Sequence, residues 1–178
     1  MTTYAMIVDG YGVGSPIVDG YGVGSHVYGE PPATLPAGQI ACTQAQAQNP
    51  SAWQVVNGSI VAKPPTLAQQ AEALIAGGLT ISSTSTPALN GTYAVASGVP
   101  FGREDIGTEA QFVSTFSEFT NGTTTLQWPL IDGKTFVTFP TTASFMAFAK
   151  AAAQFYAACK AVAATGVGTL PPATATIP

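Results

Sequence analysis

Charge is what this sequence has least of. Lys, Arg, Asp and Glu together make up 8% of its 178 residues, against about 25% in an average soluble protein. The polar surface must therefore come from uncharged Thr, Ser, Gln and Asn. A chain so poor in charge has few groups that keep copies apart in solution, which suits a surface largely covered by partners. The net charge is -4, and the five basic residues, Lys63, Arg103, Lys134, Lys150 and Lys160, are scattered. Nucleic-acid binding needs a basic stripe and is excluded on that account.

Histidine is scarcer still, with His26 alone. One His does not hold zinc without Cys or carboxylate partners close by, and the nearest thiol, Cys42, lies beyond a Pro-rich turn. His26 is read as a surface or interface residue. The same count removes most Ser-His-Asp and Cys-His arrangements, because the only base lies in the N-terminal arm. Cys42 and Cys159 leave a disulfide open, with two free thiols preferred. No apolar run approaches the roughly 20 residues of a membrane span. The start, MTTYAMIVDG, lacks the basic and apolar regions of a signal peptide. The expectation is synthesis in a cytoplasm, with no membrane span, no cofactor and no metal.

What the sequence does have begins with a repeat. IVDGYGVGS runs from Ile7 to Ser15 and again from Ile17 to Ser25, joined by Pro16. Glycine at alternate positions strips one face of an extended strand, so Tyr11 and Val13, like Tyr21 and Val23, project from the other. Glycine also loses the most freedom on ordering. Residues 1–35 therefore read as an extended arm that takes its order from a partner, adding strands to equivalent edges or grooves of a symmetric assembly. The partner-binding candidates are Ile7, Val8, Tyr11, Val13, Ile17, Val18, Tyr21 and Val23. Two copies with Asp ahead of the glycines do not match a calcium-binding solenoid, which needs many. Gly10-Tyr11-Gly12-Val13-Gly14 is not a dinucleotide fingerprint, since Ser15 stands where a third Gly is required.

Beyond a Pro-rich turn, Trp53-Gln54-Val55-Val56 and Ser59-Ile60-Val61-Ala62 flank Asn57-Gly58, the strongest short-range hairpin signal. Lys63-Pro64-Pro65 breaks the strand and reads as a hinge. Thr66 and Gln69 have capping-box spacing. The helix they open carries Leu67, Ala71, Leu74 and Ile75 on one face and ends at Gly77-Gly78. A strand at residues 79–84 and a turn into a short strand ending near Val95 follow. Phe112, Val113, Phe116 and Phe119 recur at helical spacing over 108–119. Residues 123–128 and 135–139 form a second hairpin around Asp132-Gly133. The last helix reaches about Ala164, with Phe145, Phe148, Ala152, Phe155, Cys159 and Val162 as its packing stripe. Gly166 and Gly168 release a Pro/Thr tail.

Two further groups invite a chemical reading. Glu104 and Asp105, with Glu109 beyond, have the residue types of a glycan hydrolase. Neighbours in sequence point apart, however, and negative charge just ahead of a helix favours its N-terminus, so capping is preferred. Trp53 and Trp128 are sugar platforms or core, and their apolar neighbours favour core.

Ala76-Gly77-Gly78-Leu79-Thr80, Leu89-Asn90-Gly91-Thr92-Tyr93, Trp128, Asp132-Gly133, Phe136 and the run from Phe145 to Phe155 carry a resemblance. Residues 67–163 resemble an uncharacterised domain that recurs near the C-termini of tail-fibre and other tail-associated proteins of bacteriophages and prophages. Leu-Asn-Gly-Thr-Tyr is its most specific piece. The family's hairpin carries a His two residues before a Phe. Here Val137 stands in that region ahead of Phe139, so no role for that His transfers. No enzymatic activity comes with the resemblance.

The expected fold is α+β, a small helix–hairpin–helix domain (64–165) with a short β region before it (36–63), an extended Gly-rich arm (1–35) and a Pro/Thr tail (166–178). The expected function is a structural virion component of a phage tail or fibre complex. It would be anchored to other tail or fibre subunits by the arm and assembled as a homo-oligomer, with a trimer as the first expectation. The alternatives are a non-virion assembly chaperone, a glycan-binding tail-tip module and a tail-borne hydrolase.

Overall fold

The computed structural model describes residues 3–8, 20–28 and 33–178. The chain forms two compact units, Met1–Pro64 and Pro65–Pro178. It is α+β, but the small helix–hairpin–helix domain with an extended arm is not what forms. Among the described residues, ten strands lie in three sheets with four helices between them.

The correction is largest in the first unit. Strands β1 (Thr3–Val8), β2 (Gly20–Tyr28), β3 (Gln39–Cys42), β4 (Trp53–Val56) and β5 (Ser59–Ala62) make one sheet in the order β3-β1-β2-β4-β5. Ile7 and the stretch from Gly20 to Ser25 thus pair with strands of their own chain. The start of the first repeat copy meets the end of the second, with Ile7 opposite Gly24 and Val8 opposite Gly22 across a bulge. Glycine, read as an obstacle to independent order, is what allows it at Gly22. A Cβ on Gly22 would lie 2.1 Å from the Pro50 carbonyl oxygen and 2.7 Å from the Met6 sulfur. The bare backbone lets the 3-10 turn Pro50–Ala52 seat against the strand. Met6 and Val55 form the buried centre, with Ile40, Cys42, Trp53 and Ile60 packed around them. The β4–β5 hairpin turns at Asn57-Gly58, both at positive φ (51° and 74°), as Asn-Gly hairpins require. Helix α1 (Gln44–Gln48) carries a full capping box from Thr43 and Gln46.

In the second unit α2 (Leu67–Gly77) has the Thr66–Gln69 capping box expected for it. Strand β6 (Leu79–Ser83) follows and pairs antiparallel with β7 (Gly91–Tyr93). Every position of the Leu-Asn-Gly-Thr-Tyr motif has structural work here. Leu89 and Tyr93 are fully buried, and the Tyr93 hydroxyl donates to the Leu89 carbonyl at 2.6 Å. Burial pushes that phenol up to about 12. The Asn90 side-chain oxygen accepts from Ser83 N–H at 2.7 Å. The Thr92 and Thr80 hydroxyls meet across the strands at 2.8 Å. A Cβ on Gly91 would lie 2.7 Å from Leu130.

Helix α3 (Arg103–Phe116) begins earlier than the phenylalanine spacing suggests and stops at Ser117 in a left-handed cap. That stop splits the expected stripe: Phe119, past the cap, is fully buried, whereas Phe116 is 60% exposed. Strands β8 (Leu126–Pro129) and β9 (Phe136–Phe139) pair antiparallel, placing Leu126, Trp128, Val137 and Phe139 on the core side. Helix α4 (Thr142–Thr165) buries Phe145, Phe148, Ala152, Phe155, Cys159 and Val162, the full stripe expected of it. The Pro/Thr tail is not a loose end. It returns as β10 (Thr174–Ile177), parallel to β6, and Ile177 is buried. Among the described residues no helix is long and apolar enough to cross a membrane.

Candidate interaction surface

Of the eight residues proposed from the repeat, four lie on described strands. Ile7 and Val23 are exposed at 36% and 61%. Val8 and Tyr21 lie in β1 and β2. Tyr11, Val13, Ile17 and Val18 lie outside the described residues. His26 is exposed on β2 with its ring 4.5 Å from that of Tyr28, in keeping with a surface residue.

The loop leading into α3 is built differently from the rest of the surface. Val99-Pro100-Phe101-Gly102 is a β-turn closed by Gly102 N–H on the Val99 carbonyl at 3.1 Å. Pro100 presets its first corner. The second corner needs positive φ and normally takes Gly or Asn, yet Phe101 sits there at φ 56°. A bulky residue in that region is strained, by about 1–3 kcal/mol. Two carboxylates hold it. Asp105 accepts from Phe101 N–H at 2.6 Å and Glu104 from Gly98 N–H at 3.1 Å. Gly102 has no room for a side chain, because a Cβ would lie 2.3 Å from the Ala96 carbonyl.

Glu104 and Asp105 thus stand in the first helical turn, as their spacing implies, and serve the loop in front of it. The Gly98 N–H is the main cause that holds the Glu104 carboxyl below its usual range. Glu109 does something else. Buried on α3, it accepts from Thr120 N–H at 2.9 Å and the Thr120 hydroxyl at 2.6 Å, fastening the segment after the helix.

The loop forms one wall of an apolar groove of about 470 Å³. Ile75, Ala94, Leu130 and Ile131 line the rest. Val99, Phe101 and Ile131 are 40%, 41% and 43% exposed around it. The Phe101 ring stands edge-on to Trp128 at 5.4 Å. Trp128 also packs on Phe145 at 5.3 Å, and its indole N–H is buried without a partner. Asp132 also lines the groove and is held within its own turn, accepting from the N–H groups of Lys134 and Thr135 and from the Thr135 hydroxyl. Those bonds, the Thr135 N–H first, bring its carboxyl down to about 2.

A larger groove of about 710 Å³ runs between α3 and α4. Its lining includes Ile106, Gly107, Met146 and several alanines, and Arg103 within it lies 4.7 Å over the Tyr156 ring. The Tyr156 hydroxyl meets Ser97 at 3.0 Å.

Trp128 is buried in the core and Trp53 is half-buried in the first unit, so both serve packing. Cys42 and Cys159 are free thiols. Among the described residues no three His, Cys, Asp or Glu side chains are grouped to hold a metal ion. Sequence reasoning passed over Val99, Phe101 and Ile131. Pro100 and Gly102 are turn signals, but no turn rule puts a phenylalanine at the left-handed corner. No family of known proteins, no curated protein and no solved structure matches this chain.

Proposed function

We propose that the chain is a structural component of a bacteriophage tail or fibre complex, working by contact with other virion subunits and without catalysis. The observation that carries this reading is the loop at residues 97–102. It spends backbone strain and two carboxylates to hold Val99 and Phe101 half-exposed beside an apolar groove. Exposed apolar surface held on a rigid, strained backbone is a feature of contact sites. The low charge of the chain and the resemblance of residues 67–163 to a tail-associated domain point the same way. The contact surface in this reading belongs to the second unit and not to the repeat, because β1 and β2 are committed to their own sheet.

The same groove suits transient hold of a client subunit, which favours an assembly chaperone as the second reading. A glycan-binding tip finds less support, since Trp128 is buried. Mass spectrometry of purified particles separates the two main readings. Stoichiometric presence in a tail or fibre, with cross-links from the second unit to another subunit, supports the structural role. Abundance in infected cells and absence from particles supports the chaperone.

A further inference from the structure

We infer that the groove between α3 and α4 is a self-association face, in which α4 of a second copy packs antiparallel across a two-fold axis. Such pairing suits a fibre subunit and an assembly chaperone alike. Besides the stripe it turns to the core, α4 carries a second one turned outward: Met146, Lys150, Ala153, Ala157, Lys160 and Ala164. Met146 is half-buried and the other five are exposed. Their spacing alternates four and three, the period of a helix-pairing seam. The first four line the groove of about 710 Å³. Alanine in such a seam lets helix axes approach to the short end of the usual range of about 8–10 Å.

Alanine alone names no occupant, but Gly107 and the charges beside the seam do. Gly107 lies inside α3 and lines the same groove. Glycine is among the poorest residues for a helix interior. A Cβ there would meet nothing within 4 Å, so its own chain does not require the missing side chain. A helix laid in the groove does. Arg103 and Glu104 in the groove stand 3.9 Å apart and offset each other, whereas Lys150 has no ion pair among the described residues. The centre of the seam reads Lys-Ala-Ala-Lys from either direction, as a two-fold contact requires. Paired antiparallel about Phe155, Ala153 lies beside Ala157 of the other copy, and Lys150 arrives at the level of its Lys160. There Glu72 Oε1 accepts from Lys160 at 2.7 Å, and its other oxygen accepts no bond among the described residues. That oxygen is the counter-charge Lys150 lacks within its own chain.

The test is sedimentation of the full chain over micromolar to millimolar concentrations, which should show monomer passing to dimer. Gly107→Gln is the decisive variant. It improves the helix and should raise the melting temperature, yet it fills the groove and should weaken dimerisation at least tenfold. Ala157→Gln should weaken the dimer likewise, and Ala158→Gln, exposed on another face of α4, should leave it unchanged. Glu72→Gln should weaken it at least threefold, and adding Lys150→Gln should recover most of that loss. In a Cys42→Ser background, a mixture of Met146→Cys and Ala164→Cys chains should cross-link. Neither should cross-link alone, because like positions lie about 27 Å apart in the antiparallel pair. A monomer throughout, a trimer, unchanged dimerisation of Gly107→Gln, or cross-linking of Met146→Cys to itself would overturn the inference. So would a lower melting temperature for Gly107→Gln, since the glycine would then serve the chain's own packing.

Discussion

In Pro65–Pro178, Phe119, Phe139, Phe145, Phe148 and Phe155 fill one interior with Tyr93 and Trp128, whereas among the described residues of Met1–Pro64 the buried cluster centres on Met6 and Val55. The first interior is held by large side chains that meet edge-on or tilted. Phe145 lies 5.2 Å from Phe139 and 5.7 Å from Phe148, and Tyr93 lies 4.6 Å from Phe148. Such pairs add about 0.5–1.5 kcal/mol each beyond the area they bury. The other interior is held by close backbone approach. Its sheet works because Gly22 has nothing to put in the way of Pro50 and Met6. One unit is specified by what its side chains add, the other by what they leave out.

The comparison breaks first at Phe148. Phe148→Ala removes a fully buried ring from the aromatic cluster, and such a change costs about 3–5 kcal/mol. The second unit should lose most or all of its stability, read as collapse of its near-ultraviolet dichroism and of its amide dispersion. Met6→Ala strikes the corresponding place in the first unit, at about 2 kcal/mol, the low end for such truncations. Its small cluster has fewer neighbours to lose. If thermal or urea unfolding ranks the two variants the other way, the contrast between the interiors is wrong.

The same contrast explains what was legible beforehand. The stripe from Phe145 to Val162, the capping box at Thr66, and the Asn57-Gly58 and Asp132-Gly133 turns came through because they are local signals, set by helical period or turn chemistry. The five-stranded sheet did not. Its register joins Ile7 to Gly24 and Met6 to Ile40, and nothing within one strand announces such a partner. Glycine in a strand has two meanings, weakness or close approach, and only the position of Pro50 decides between them. Strand β10 was hidden likewise, because a Thr-rich tail finds its place only beside β6. The Phe101 loop was the least legible, since its conformation opposes the preference of the residue that occupies it.

Two glycines of the second repeat copy sharpen the comparison. In sequence Gly22 and Gly24 look alike. In the sheet a Cβ on Gly22 would press the Pro50 carbonyl at 2.1 Å, whereas on Gly24 it would meet only the flexible end of Ile7 at 3.3 Å. Gly22→Ala should therefore cost about 1–3 kcal/mol, the usual range for overpacking, and shift the amides of β1, β2 and residues 50–52. Gly24→Ala should cost well under that. Denaturant midpoints of the two variants check the ranking, and equal values would mean that the turn at Pro50 is not seated on the strand.

The smallest effect lies at the surface of the second unit, where Asp132 stabilises its turn by accepting hydrogen bonds and buries nothing. Its folded pKa is about 2, below the ordinary 3.8, so the sign is fixed. The contribution is fully present above about pH 4. It falls away as the pH drops through the folded value, where the protonated carboxyl no longer favours the Thr135 hydroxyl and the two N–H donors. Acid titration followed at the amides of Lys134 and Thr135 should give a midpoint near 2. Asp132→Asn keeps an oxygen for both amides and has no charge to lose. It should preserve the hairpin at neutral pH and flatten that titration. The amides of β1 and β2 in the first unit, followed in the same titration, are the reference for that transition. A shared midpoint in both units would mean that acid acts on the chain as a whole and not through this turn.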